Sequence, residues 1–321
     1  MNEGSHYVDG FCEAVVIVRA AAPHLTCWLE VGGWELRQQG MIDPRLLEGW
    51  GLPNASGEEW LLAHPACTTG HVRLLRLENA GVQADIRPDD QCWDTGGIFD
   101  LNVRVLDLAA KSSALRALSW HGPATPVRWD SGGLIVKEWL PRGPDNVRLA
   151  LIERLQPPLA GFDHLRDFSQ VFNSSQIVRD LDVSTRFYCD VLGFKRCLNF
   201  QTAAFPPGAN VFGLPSVVSS GVGLNLNIVH PQGTMEGSIE IVTTPGAVGV
   251  DLSANAAPPN FGMAALRFPV KGLDDFARHL YQSAWPLAMP IVSLQLAPYG
   301  QVRMLSIRSP DGAWLEFFET A

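Results

Sequence analysis

The chain is poor in positive charge. It carries 24 Lys and Arg against 33 Asp and Glu, a formal net charge of −9 over 321 residues. Nucleic-acid binding needs a basic face to neutralise phosphates, so that function class is excluded. Docking on an anionic membrane surface is excluded for the same reason. Long apolar runs are missing too, since stretches such as 14–18 fall far short of a bilayer span. Residues 1–10 carry acid and no apolar run, so no secretory leader is expected. The six cysteines (Cys12, Cys27, Cys67, Cys92, Cys189 and Cys197) include no CxxC pair, which argues against a zinc ribbon or a dithiol redox centre. They read as thiols of a reducing compartment, and a cytoplasmic location is expected. No GxSxG, P-loop or dinucleotide fingerprint is present. Only 18% of residues are charged and 46% are hydrophobic, so a core is easily buried and global disorder is ruled out. Ten tryptophans, eight of them before residue 140, read mostly as core filler, with some lining an aromatic cavity.

What is present is repetition. An apolar strand ends at a valine, a helix follows, and further strands complete the unit. The clearest copy is SSQIVRDLDVSTRFYCDVLGF (174–194), where Asp180 or Asp182 caps a helix that Gly193 stops. The others are DLNVRVLDLAAKSSALRALSWHG (100–122, capped by Asp107), ALRFPVKGLDDFARHLYQSAWP (265–286) and the weakest, EAVVIVRAAAPHLTCWLEVGG (13–33). The strand-end valines are Val18, Val105, Val178 and Val270, separated by 87, 73 and 92 residues. Two turns match as well: Gly143-Pro144-Asp145-Asn146 and Ser309-Pro310-Asp311-Gly312 each feed a closing strand.

These units predict an α+β fold of four βαβββ modules. Linkers place units at about 9–80 and 92–155 in an N-terminal pair (1–156), and at about 165–245 and 258–321 in a C-terminal pair (163–321). Each pair is expected to close its own curved-sheet bowl. The stretch 201–223, rich in Gly, Pro and Ser, reads as a loop or lid.

The motifs IVRDLDVSTRFYCDVLGF and SPDGAWLEFFE, in modules of this size, resemble the vicinal oxygen chelate superfamily of glyoxalase I, bleomycin-resistance proteins and extradiol dioxygenases. The resemblance covers 165–321 well, 92–155 moderately and 9–80 weakly. It implies a site inside each bowl, with residues from the first and last strands of each module. Counted onto this chain, those positions are Asn173, Glu240, Ala265 and Glu316 for the C-terminal bowl. For the N-terminal bowl they are Glu13, Arg73, Asp100 and Ala150. The family's two histidine ligands have no counterpart here. A divalent metal would have only Glu240 and Glu316 with an amide, enough at best for a hard cation.

Alternation in the strand from Ala265 sends Leu266, Phe268 and Val270 to the core and Arg267 into the bowl. The Arg267 guanidinium is expected where a metal would sit, bridging Glu316 and Glu240, with Arg303 as a second candidate. Asn102 and Arg104 share the face of Asp100. His230, at a strand end, is the histidine placed nearest a cavity.

The functional expectation is a metal-independent lyase- or isomerase-type enzyme acting on a small carbonyl or aromatic compound. Glu316 would be the base, Arg267 would stabilise negative charge, and Glu240 would complete the catalytic set. Asn173, Arg303, His230, Glu13, Arg73, Asp100 and Arg104 would bind the substrate. No cofactor is expected, with a divalent metal as the alternative. A metal-dependent dioxygenase or glyoxalase-type lyase and a non-catalytic sequestering protein are the other readings. The partner is a small molecule, and a monomer or homodimer suffices.

Overall fold

The computed structural model describes residues 7–321 apart from 90, 123, 124 and 132. Residues 1–6, part of the leader reading, lie outside the described residues. Module one contains β1 (Tyr7–Val8), β2 (Glu13–Ile17), α1 (Ala21–Leu25, continued by a π-helical turn Thr26–Val31), β3 (Glu35–Met41), α2 (Pro44–Gly49), β4 (Ser56–Ala63) and β5 (His71–Glu78). Module two contains β6 (Asp100–Arg104), α3 (Leu108–Ala117), β7 (Val127–Ser131), β8 (Leu134–Trp139) and β9 (Leu149–Gln156). Module three contains β10 (Asn173–Ile177), α4 (Leu181–Arg186, continued by a π-helical turn Phe187–Val191), β11 (Lys195–Thr202), α5 (Ser216–Ser219), β12 (Leu224–His230) and β13 (Ser238–Thr243). Module four contains β14 (Gly262–Lys271), α6 (Leu273–Gln282), β15 (Leu287–Leu296), β16 (Gly300–Arg308) and β17 (Trp314–Thr320).

Local chemistry sets the helix ends. Asp107 accepts a hydrogen bond from Ala110 N and Asp180 one from Val183 N, both at 2.9 Å, so each satisfies a free N–H of the first turn. Of the two cap candidates in module three, Asp180 takes the position. Gly193 ends that helix with φ +74°, a conformation costly for any residue with a Cβ.

The modules pair differently from the sequence expectation. One sheet runs β15-β16-β17-β14-β2-β5-β4-β3, joining module four to module one. The other runs β11-β12-β13-β10-β6-β9-β8-β7, joining module three to module two. Neither half of the chain closes a bowl by itself. Antiparallel pairing of the first strands, β2 with β14 and β6 with β10, makes both joints. Modules one and two, and likewise modules three and four, meet through helices and turns instead. Asp145, in the module-two turn, accepts from Arg19 Nη1 at 2.9 Å and lies 2.9 Å from His24 Nε2, both in module one. Asp311, in the equivalent turn of module four, accepts from Arg179 N (3.0 Å), Arg179 Nε (3.1 Å) and Ser184 Oγ (2.8 Å) of module three. The repeated Pro-Asp turn is therefore a clasp between neighbours in sequence. Asp311 is buried, so Asp311→Ala takes the acceptor from the Ser184 hydroxyl and the Arg179 N–H, while the exposed Arg179 side chain turns to water, and is expected to cost roughly 1–3 kcal/mol. A urea-denaturation midpoint unchanged from wild type would disprove this role.

The sheets' helix-bearing faces enclose one central core. Leu101, Val103, Leu266, Phe268 and Phe317 from strands meet Trp28, Phe187 and Phe276 from helices. The opposite faces form the two bowls. Ala265, Val15 and Ile17 line one, where they pack against Leu46, Leu47 and Trp50 on and beside α2. Ala150, Ile177 and Val242 line the other, beneath Phe205, Phe212, Leu214 and Val222. The 201–223 segment thus roofs the second bowl.

Candidate functional site

On the floor of the module one–four bowl, strand register sets Glu13, Arg267 and Glu316 in a row, with Arg267 opposite each acid. Arg267 Nε donates to Glu316 Oε2 at 2.7 Å, and its Nη1 donates to Glu13 Oε2 at 3.2 Å. Arg73 takes Glu13 in a two-pronged contact, Nε to Oε2 at 2.9 Å and Nη2 to Oε1 at 2.8 Å. Arg73 Nη1 also lies 3.0 Å from Glu59. The indoles of Trp50 (2.8 Å) and Trp314 (3.3 Å) both donate to Glu316 Oε1. Glu13, Arg73, Arg267 and Glu316 are all 0% exposed. Burial alone would raise the Glu13 carboxyl. The charge and hydrogen bonds of Arg73, with Arg267 behind, outweigh it and hold the group at about 2. Planar guanidinium forks here satisfy carboxylates that water cannot reach.

The module two–three bowl has the opposite electrostatics. Register places Asp100 opposite Ser175, Ser175 beside Glu240, and Asn173 opposite Asn102. Glu138 comes from β8. Ser175 N donates to Asp100 Oδ1 at 3.1 Å, and Asn102 Nδ2 donates to Asn173 Oδ1. Asn173 Nδ2 lies 3.5 Å from Glu240 Oε2, and Trp129 Nε1 donates to Glu138 Oε2 at 2.8 Å. Asp100 is buried, whereas Glu138 and Glu240 are half-buried. Burial pushes Asp100 up to about 6, against hydrogen bonds from Ser175 and the charges of Arg148 and Arg87. Burial, then the charge of Asp100, pushes Glu138 up to about 7 against the bond from Trp129. Burial and the charges of Asp100 and Glu138 push Glu240 up to about 8.

The pairing of Arg267 with Glu316 agrees with the sequence reading. Several other expectations need correction. Glu240 lies in the other sheet and cannot bridge to Arg267 or share a metal with Glu316, because module three pairs with module two. Glu13 and Arg73 join Arg267 for the same reason, not Asp100 and Arg104. Arg104 stacks on Phe172, 3.7 Å from the ring centroid, and pairs with Glu236 at 2.7 Å, away from Asp100. Arg303 is half-buried on the helix-bearing side and pairs with Asp274 of α6 at 2.8 Å, because Val302 and Met304 take the bowl face. His230 lies outside both bowls. It lines a separate cavity of about 290 Å³ with Asp9, Gly10 and Thr69, and its Nδ1 accepts from Gln232 N at 3.0 Å. Asn173 and Asp100 do share a floor with Glu240. Sequence reasoning missed Glu138, Glu59, Trp50 and Trp314. Glu138 had a signal: in LIVKEWL it alternates with Trp139, which faces the core.

The imidazole-ligated zinc or iron ion implied by the family resemblance fits neither floor. In the first bowl, two guanidiniums saturate the acids at the ligand positions. The second bowl offers oxygen donors and no imidazole, whereas zinc and iron sites draw on imidazole. Among the described residues, the one group of three His, Cys, Asp or Glu ligand atoms within 4.8 Å of one another is His64, Cys67 and His164, outside both bowls.

A family model for the Glyoxalase/Bleomycin resistance protein/Dioxygenase superfamily matches residues 161–317. No curated protein matches the sequence. Glyoxalase I from Zea mays superposes with a TM-score of 0.59 at 13% identity, over 98% of this chain and 93% of that one. A candidate dioxygenase from Bacillus subtilis strain 168 superposes with a TM-score of 0.56 at 11% identity, over 98% of this chain and 86% of that one. At such identities the likeness is one of fold. No described helix is long and apolar enough to cross a membrane. Residues 161–317 carry the sequence pattern of the Glyoxalase/Bleomycin resistance protein/Dioxygenase superfamily, and the described chain as a whole shares the fold of these solved structures.

Proposed function

We propose that the protein is a metal-independent lyase- or isomerase-type enzyme whose chemistry takes place in the module two–three bowl. The observation that carries this reading is the trio Asp100, Glu138 and Glu240, with carboxyls near 6, 7 and 8 on one floor. General acid–base catalysis is most efficient when the group's pKa lies near the working pH. Neighbouring carboxyls pushed apart in pKa divide the acid and base roles. At neutral pH Asp100 is the ionised member and Glu240 the protonated one. Asp100 would take a proton from the carbon next to a carbonyl while Glu240 gives one to the carbonyl oxygen. The amides of Asn102 and Asn173 would steady the developing charge. An acid-rich floor disfavours carboxylates and phosphates, so the substrate is an uncharged small carbonyl compound. Phe205 and Phe212 above it suit an aromatic or apolar substituent. Both bowls close within a single chain, so a monomer would suffice.

The first bowl takes no chemical role in this proposal. Glu316, earlier the expected base, is bound by Arg267 and two indoles and has no contact with solvent.

The test is proton exchange. A panel of small ketones and α-hydroxyketones is incubated with the protein in deuterated buffer, and deuterium at the α-carbon is followed by NMR. Exchange on at least one member is expected, falling roughly 100-fold or more in Glu240→Gln. Exchange that survives unchanged in that variant rejects the assignment. Ligand binding without exchange would favour the sequestering reading.

A further inference from the structure

We propose that His64, Cys67 and His164 form a zinc-binding clip outside both bowls, fastening the β4–β5 turn of module one to the segment that joins modules two and three. The proposal is independent of the acid–base chemistry above.

His64 immediately follows β4. The turn His64-Pro65-Ala66-Cys67 is closed by Cys67 N donating to His64 O at 3.1 Å, which brings the two side chains to the same side. Cys67 Sγ lies 3.5 Å from His64 Nδ1. With a Zn–S distance of about 2.3 Å, a Zn–N distance of about 2.0 Å and tetrahedral angles, zinc requires a sulfur–nitrogen separation of about 3.5 Å. The H-x-x-C turn is therefore already at the spacing of two zinc ligands. His164 comes from a different part of the chain, and the three ligand atoms lie within 4.8 Å of one another. The two imidazoles meet edge to face, ring centroids 5.4 Å apart.

The surroundings are built to hold this turn. Arg37 Nη2 donates to the carbonyls of His64 (3.3 Å) and Pro65 (3.2 Å). Cys67 Sγ lies 3.3 Å from Gln170 Oε1, which offers an oxygen beside the site. Gln170 is fixed in turn by donating from Nε2 to Glu236 Oε2 at 2.9 Å. Such outer contacts orient metal ligands. Ala66 N–H donates to His64 Nδ1 at 3.1 Å, so metal binding there exchanges one hydrogen bond for a coordinate bond. Cys67 is half-buried and His164 exposed, which leaves the ion a path from solvent.

One thiolate and two imidazoles select a borderline-soft ion such as zinc over magnesium or calcium. Binding releases the Cys67 proton to solvent, and each ligand contributes a lone pair, with no change of oxidation state. Three protein ligands leave the fourth position to Gln170 Oε1 or water. A clip here would tie the sheet of modules one and four to the linker of the other sheet.

The experiment uses the full-length protein, stripped with chelator and titrated with Co²⁺ as a spectroscopic stand-in for zinc. We expect saturation at one equivalent with a thiolate-to-cobalt charge-transfer band, and Zn²⁺ should bleach it. The band should vanish in Cys67→Ser and weaken sharply in His164→Ala. It should persist in Cys197→Ser, which removes a separate exposed thiol. Zinc affinity should fall roughly 100-fold in Cys67→Ser, about one ligand's share of a structural site. Circular dichroism of each metal-free variant should match wild type, since the three residues lie at the surface end of β4 and in a linker. Absence of a saturable cobalt band in wild type overturns the proposal. So does a band that survives in Cys67→Ser or disappears in Cys197→Ser.

Discussion

Replacing Glu316 with alanine is expected to destabilise the protein by roughly 3–5 kcal/mol. The substitution removes the partner held 2.7 Å from Arg267 Nε and the acceptor of two indole N–H groups. None of these donors has water to turn to, since Arg267 is 0% exposed and Trp50 and Trp314 are both buried. Glu13 still accepts from Arg267 Nη1 at 3.2 Å, but its closer contacts go to Arg73, so Arg267 Nε and the two indoles lose their acceptor. The large cost comes from the charge left behind, not from a large net contribution of the pair. Desolvation consumes most of what a buried ion pair gains. Glu316→Gln should therefore fall between wild type and alanine: it keeps an acceptor for the indoles and loses the charge. Denaturant unfolding measures both variants. A change within about 0.5 kcal/mol for Glu316→Ala would contradict a dry, interlocked pair.

The second large effect is a dependence on pH carried by the other bowl. Asp100, Glu138 and Glu240 have folded values of about 6, 7 and 8, above the ordinary values of 3.8, 4.5 and 4.5. Between these limits the folded chain holds protons that the unfolded chain has released, so stability falls as pH rises. The contribution is fully present below about pH 4 and is lost by the time pH passes about 8. His64, His71 and His230 act in the opposite sense, because burial lowers their values and keeps them neutral when folded. The difference between wild type and Glu240→Gln isolates the carboxyl effect. The variant should match wild type at pH 4 and exceed it by about 4–5 kcal/mol at pH 9, the amount that a rise from 4.5 to about 8 implies. A variant less stable than wild type at pH 9 would mean that the Glu240 carboxylate is compensated by a cation. The same substitution is expected to abolish proton exchange. A residue whose removal stabilises the fold and stops the chemistry is a functional residue kept at the expense of stability.

The two bowls have the same backbone plan and opposite chemistry. In one, two arginines satisfy three acids, and apolar side chains on and beside α2 pack the remaining space. In the other, three acids share a floor with Asn102, Asn173 and Ser175, and an aromatic loop covers them. Two substitutions on equivalent strands account for much of the contrast. Arg267 and Arg73 put cations at the positions that Ser175 and Ala150 hold in the second bowl. Duplication supplies two copies of a site, and a copy that becomes part of the core is released from a chemical role.

Much of this was legible in the residues. The helix caps Asp107 and Asp180, the Pro-Asp turns and the four strand–helix units are local signals, fixed by backbone hydrogen bonding over a few residues. The inward direction of Arg267 followed from alternation with Leu266, Phe268 and Val270, since a strand with one face in the core has no freedom in the other. The fate of Arg303 shows the limit of counting: it lies on a strand whose bowl-facing residues are Val302 and Met304, and it turns to Asp274 on α6. Glu138 was passed over because β8 is not among the strands to which the family resemblance points.

By itself the sequence determined the repeat, the inward face of β14 and the presence of an arginine where a metal ligand would be sought. Only the tertiary structure decided which modules share a sheet. First-strand pairing joins segments as far apart as Glu13 and Arg267, and no periodicity reports which of four similar edges will meet. That choice brought Glu13 to Arg267, sent Glu240 to Asp100 and Glu138, and so separated a closed ion-pair lattice from a floor of proton-bearing acids.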